Sequence, residues 1–136
     1  MPQPPLFTAT TRDIRVSVRA FYLTDQSQPE QSHFVWAYRV TIENLGARTV
    51  QLLRRSWEIT DGRGRVQQVN GPGVVGEQPV LEPGESFEYT SGTPLSTPSG
   101  FMRGTYGMVE QGSGEEFDVA IPAFSLDSPH QAGLVH

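Results

Sequence analysis

From Ile14 to Tyr22 the apolar residues Ile14, Val16, Val18, Ala20 and Tyr22 alternate with Arg15, Ser17, Arg19 and Phe21. A period of two puts the two sets on opposite faces of an extended chain, so the segment predicts a β-strand with one face on a core. The same alternation returns in Phe34, Trp36, Tyr38, Val40 and Ile42, and Trp36 and Tyr38 are its expected core anchors. Between these strands, positions 23–32 (LTDQSQPEQS) read as a polar loop. Asn44-Leu45-Gly46 supplies a turn, after which Val50 and Leu52 lie out of phase with Trp57 and Ile59. Such a slip requires a bulge, a bend or a change of sheet within positions 53–56, where Arg54 and Arg55 stand. Downstream, Asp61-Gly62-Arg63-Gly64 signals a hairpin into Val66 and Val69, and Glu82-Pro83-Gly84-Glu85 a tight turn before Phe87 and Tyr89. Positions 93–100 form a proline-rich crossing. Met102, Gly104, Tyr106 and Met108 share a further strand face, and Phe117, Val119 and Ile121 follow the hairpin signal at 111–114. No stretch has convincing helical periodicity. Seven or eight short strands between turn signals predict an all-β antiparallel sandwich or barrel. Positions 1–126 read as one domain and 127–136 as a C-terminal tail with too few periodic residues to place.

The segment from Leu53 to Glu88 holds four of the arginines and most of the candidate chemistry. Gly71, Gly73 and Gly76 have the G-x-G-x-x-G spacing of a dinucleotide fingerprint, but Pro79 and Pro83 leave no room for the helix that would receive a pyrophosphate. Without that helix, the sharper reading is a backbone nest for phosphate or pyrophosphate built on these three glycines, with help from Arg54, Arg55, Arg63 and Arg65. Its affinity would be on the order of 0.1 to 1 mM. The plainer reading gives the glycines to tight turns and close packing, and the arginines to a solvated face paired with Glu58 and Asp61.

Composition removes several classes of function. All ten basic residues are arginine, so there is no P-loop lysine and no Schiff base. Cysteine is absent, and His33, His130 and His136 are too scattered for a spaced metal motif, so neither a tight divalent-metal site nor a cofactor is expected. A net charge of −5 disfavours nucleic acid, whose binding rests on neutralised phosphates. The start MPQPPLFTATTR has no basic or apolar leader region, and no stretch is long and apolar enough for a membrane span, so the chain reads as cytoplasmic. No nucleophile is accompanied by a base and an orienting third group, so no catalytic residue is assigned.

Five segments carry a family resemblance. They are Tyr38-Arg-Val-Thr-Ile-Glu-Asn44, Val50-Gln-Leu-Leu53, Trp57-Glu-Ile-Thr-Asp61, Gly71-Pro-Gly-Val-Val-Gly-Glu-Gln-Pro79 and Pro83-Gly-Glu-Ser-Phe-Glu-Tyr-Thr-Ser-Gly92. The chain resembles the ApaG family over nearly its whole length. That resemblance implies a fibronectin type III or immunoglobulin-like sandwich, a role in cobalt resistance and magnesium efflux, and, from its use as a module in larger proteins, a partner-binding function. Ser56 and Pro72 stand where the family pattern often has histidine and glutamate, so a metal site built on those two positions is not expected.

Three functions follow, in this order. The first is a non-enzymatic module that contacts a protein partner or a second copy. The second is a sensor of phosphate, pyrophosphate or nucleotide at the glycine loop. The third is a nucleotide hydrolase, for which Glu77 would be the acidic metal-holding group.

Overall fold

A computed structural model describes residues 3–130. In chain order the strands are Phe7–Thr11 (β1), Ile14–Tyr22 (β2), Phe34–Asn44 (β3), Val50–Asp61 (β4) and Val66–Pro72 (β5). Val80–Leu81 (β6), Ser86–Leu95 (β7), Gly100–Glu110 (β8) and Glu116–Leu126 (β9) follow. One sheet has the order β1-β2-β3-β7; the other has β5-β4-β8-β9, with β6 also paired to β4. All pairings are antiparallel. The expected sandwich is therefore present, with nine strands among the described residues instead of seven or eight. The additional ones are β1, whose threonines dilute its alternation, and the two-residue β6, caught between Pro79 and Pro83. The polar loop at 23–32 contains two single-turn 3₁₀ segments with no buried residue.

The phase slip in β4 is a bulge within one strand. Leu52 pairs with Met108 and Arg54 with Gly107, leaving Leu53 as the extra residue. Beyond it Trp57 returns to the core, with its ring centroid 5.5 Å from Tyr38, 6.0 Å from Phe124 and 6.5 Å from Tyr106. Trp36 is fully buried and donates its indole N–H to Asp127 O at 2.8 Å. Burying two tryptophans between the sheets removes some of the largest apolar surfaces in the chain from water, and each contributes several kcal/mol.

The crossing expected at 93–100 is shorter: β7 runs on through Thr93, Pro94 and Leu95 and β8 starts at Gly100, so positions 96–99 carry the chain from one sheet to the other. Along one side the sandwich is closed where Thr11 Oγ1 accepts the Ala120 N–H at 3.2 Å. Strands β5 and β7 are the outermost strands at the opposite ends of the two sheet orders. The segment after β9 packs onto the body: Ser128 is buried, its hydroxyl donates to Pro98 O, and the His130 ring lies 5.9 Å from Tyr22 and 6.0 Å from Phe34. Positions 131–136 of the expected tail, including His136, lie outside the described residues.

Candidate functional site

The glycine segment is the end of a hairpin. Gly73 N–H bonds Leu53 O at 2.8 Å, and Asp61 N–H bonds Arg65 O at 3.0 Å at the other end of the β4–β5 ladder. Antiparallel pairs alternate between bonded and non-bonded, so these two contacts fix the phase: odd-numbered residues of β5, Gly71 among them, turn their backbone groups to β4, and even-numbered residues turn theirs outward. Two of the three glycine amides expected to converge on an anion are thus engaged within the sheet. The next four residues close a two-residue turn, with Val74 and Glu77 exchanging both backbone bonds at 2.8 and 2.9 Å. Its central residues, Val75 and Gly76, have φ of 43° and 81°, the left-handed pair that hairpin turns of this length require.

Each glycine has a local reason. A Cβ on Gly73 would come within 2.3 Å of Glu77 O, and its φ is +59°. Gly71 is a seat for Arg55: a Cβ there would meet both terminal guanidinium nitrogens at 3.0 Å. Arg55 Nη1 donates to Pro72 O at 2.8 Å and to Gly73 O at 2.9 Å. The loop therefore presents carbonyl oxygens to its nearest arginine, so the guanidinium fastens the loop.

The structure does not bring the four predicted arginines together. Past the bulge at Leu53 the regular alternation of the strand turns the neighbours Arg54 and Arg55 to opposite faces. On the outer face Arg54 lies across Gly107 and pairs with Glu116 at 3.1 Å. Arg55 points inward, with its charge felt by the hydroxyls of Tyr38, Tyr89 and Tyr106. Arg63 and Arg65 lie at the far end of the hairpin, roughly 20 Å along the strand at ~3.4 Å per residue. There Asp61 Oδ2 pairs with Arg65 Nε at 2.8 Å, while Asp61 Oδ1 accepts the amides of Arg63 and Arg65. Partial burial works against the Asp61 charge, but these donors outweigh it and hold the carboxyl below its ordinary range. Glu58, expected beside this cluster, instead pairs with Arg103 at 2.7 Å.

Sequence reading missed a polar contact at the centre of the core. Tyr89 and Tyr106, from opposite sheets, share a short hydroxyl–hydroxyl hydrogen bond. Burial drives the phenol pKa values of both well up, and that of Tyr38 more modestly. Alternation placed all three tyrosines inward, but nothing in a linear sequence says which hydroxyls meet across two sheets.

Ser56 and Pro72 line an open trough of about 740 Å³ that also brings together Arg54, Arg55 and Gly71 of the predicted set, with Asn70, Thr105 and Asp118. Ser56 donates to Asn70 Oδ1 at 2.6 Å. Among the described residues no three His, Cys, Asp or Glu side chains gather into a metal-holding group, so Glu77 belongs to none. No helix among them is long and apolar enough to cross a membrane.

The edge beside the glycine turn is more exposed. Every residue of β5 is exposed except Val69 and Gly71, which are half-buried. Val66, Val75 and Val80, at 55%, 54% and 47% exposure, are three of the six large apolar residues left open on the described surface, and all flank this edge.

Comparison with known proteins gives concordant matches. The family profile described as the ApaG domain matches residues 24–110. The chain is 69% identical over 126 residues to the Protein ApaG of Paramagnetospirillum magneticum, covering 93% of this chain and 96% of that one. It is 60% identical over 131 residues to the Protein ApaG of Parvibaculum lavamentivorans, covering 96% and 100%. A solved structure described as a putative ApaA protein from Bordetella pertussis superposes with a TM-score of 0.84 at 49% identity, covering 96% of this chain and all of that one.

Proposed function

This chain belongs to the ApaG family, and from that premise we propose that it is a non-enzymatic interaction module that accepts a strand from a protein partner along the open edge of β5. The observation that carries the reading is that edge itself. The even-numbered residues Val66, Gln68 and Asn70 direct their backbone N–H and C=O groups away from β4, with no strand beyond them among the described residues. Unpaired edges are templates for strand addition, and proteins usually blunt them with charge, proline or cover. Here only Pro72, at an outward position, limits the edge. Strand β7 offers a less suitable edge, since its outward row is Ser86, Glu88, Thr90, Gly92 and Pro94. The turn supports the same reading. Val75 is a β-branched residue at positive φ, a conformation that costs of order 1 kcal/mol, and it holds an exposed apolar side chain beside the edge. The family-implied role in cobalt resistance and magnesium efflux then runs through the partner.

Two variants test this. Gln68→Pro removes an outward N–H without touching the β4 ladder, so the fold should survive while capture of the partner from a native lysate, or self-association in sedimentation, falls at least about tenfold. Val75→Asn should relieve the turn, stabilise the domain by about 1 kcal/mol and weaken the same association. Association that is unchanged in Gln68→Pro rules out the β5 edge as the contact.

A further inference from the structure

The outer face of the four-stranded sheet carries a charge arrangement that the fold does not need. Arg19 on β2 and Arg39 on β3 are directly opposed in register. Leu23 N–H bonds Val35 O in the same ladder, so by alternation Arg19 and Arg39 form a hydrogen-bonded pair with Cα atoms about 5.5 Å apart. Like charges so placed repel and destabilise a sheet. Six of the ten arginines are in ion pairs, but among the described residues neither Arg19 nor Arg39 has a carboxylate within 4.0 Å. The nearby acids are committed elsewhere: Glu43 to Arg15, and Glu88 to the Thr41 hydroxyl at 3.1 Å. Arg39 lies over the Phe21 ring at 5.3 Å, and Arg19 donates from Nη1 to the Gln3 side chain. Arg19 Nε is shut off from solvent and has no acceptor, so the fold leaves this guanidinium incompletely satisfied.

We propose that Arg19 and Arg39 form a binding site for a phosphomonoester dianion. A tetrahedral dianion cancels both charges and accepts from both guanidiniums at once, whereas a carboxylate, with a single charge, leaves one arginine uncompensated. Thr90, opposite Arg39 on β7, places a hydroxyl in the same row. The adjoining row of Phe21, Ala37 and Gly92 is apolar, so the organic group carried by the phosphate lies along it. The chain's net charge of −5 offers no long-range attraction to an anion, and the site is open, so the dissociation constant is on the order of 1 mM.

The test is a titration of isotope-labelled protein with phenyl phosphate, inorganic phosphate and acetate, following the arginine Nε–Hε and backbone amide resonances. Phenyl phosphate should move the Arg19 and Arg39 side-chain signals and the Thr90 amide, bind more tightly than inorganic phosphate, and exceed acetate by about fivefold or more. Arg19→Gln and Arg39→Gln, both on the outer face, should each keep the dispersed parent spectrum and lose at least about fivefold in affinity. Silence of both side chains at about 20 mM phenyl phosphate overturns the site. So do shifts confined to the Gly71–Gly76 turn or to Arg63, acetate binding as tightly as phosphate, or unchanged affinity in both variants.

Discussion

At Gly73 two requirements coincide, a φ of +59° and a space in which Glu77 O would lie 2.3 Å from any Cβ. Gly76 has only the first, with φ at +81° and nothing within 4 Å of its would-be Cβ. Alanine at Gly76 should therefore cost about 1 kcal/mol, the penalty of a left-handed residue, whereas alanine at Gly73 must also push the turn apart and should cost about 3 kcal/mol or more. Urea denaturation of the two variants orders them, and equal losses would mean that the turn relaxes around Gly73. Trp36→Ala should cost about 3 to 5 kcal/mol, because it empties a fully buried site and leaves Asp127 O without its indole donor; a melting temperature within a degree or two of the parent would contradict that. The sequence made Trp36 readable because alternation alone assigns its face. It made the glycines readable as a cluster but not in their separate roles, because a three-glycine spacing looks the same whether its amides face a ligand or a neighbouring strand.

The elements show why Arg63 and Arg65 stand apart from Arg54 and Arg55. Counting along positions 53–65 puts Arg54, Arg55, Arg63 and Arg65 near one another, but a β-strand extends ~3.4 Å per residue and the two ends of the hairpin lie most of a strand's length apart. The slip at 53–56 was legible as an irregularity, but its form was not: one bulged residue, Leu53, is enough to restore phase without a change of sheet. At the hairpin tip Asp61 gives an element-level prediction. Its folded carboxyl sits below its unfolded value, so ionised Asp61 contributes stability above the ordinary carboxylate range, and that contribution is lost as pH falls through the folded value. Asp61→Asn should therefore be less stable than the parent at neutral pH, with the difference shrinking as the solution is acidified below about pH 4. Denaturation midpoints of parent and variant from neutral to acid pH check this, and a constant difference would mean that the side chain acts by its amide-accepting oxygen alone.

For the molecule as a whole, the sandwich was legible and its interior chemistry was not. Tyr38 from β3, Tyr89 from β7 and Tyr106 from β8 were each placed inward by period-two patterning, but only the packing of one sheet on the other brings Tyr89 and Tyr106 into hydroxyl contact. Two consequences follow from that contact. Burial raises all three phenol pKa values, so the unfolded chain releases protons near pH 10 that the folded chain retains. The stability held by these groups is fully present below that pH and is lost as pH rises toward and through the folded values. Tyrosinate absorbance should accordingly lag behind the ordinary phenol titration and then appear together with loss of tertiary circular dichroism. Full ionisation of these three tyrosines at ordinary alkaline pH with the fold intact would show that the interior admits solvent. The second consequence is energetic coupling. Tyr89→Phe or Tyr106→Phe alone leaves the surviving buried hydroxyl without its partner and should cost about 1 to 3 kcal/mol, whereas the double variant removes both polar groups and should cost less than the sum of the singles, close to neutral. If the single losses simply add in the double-mutant cycle, the two hydroxyls do not depend on one another, and the sheets are held at that point by ring packing alone.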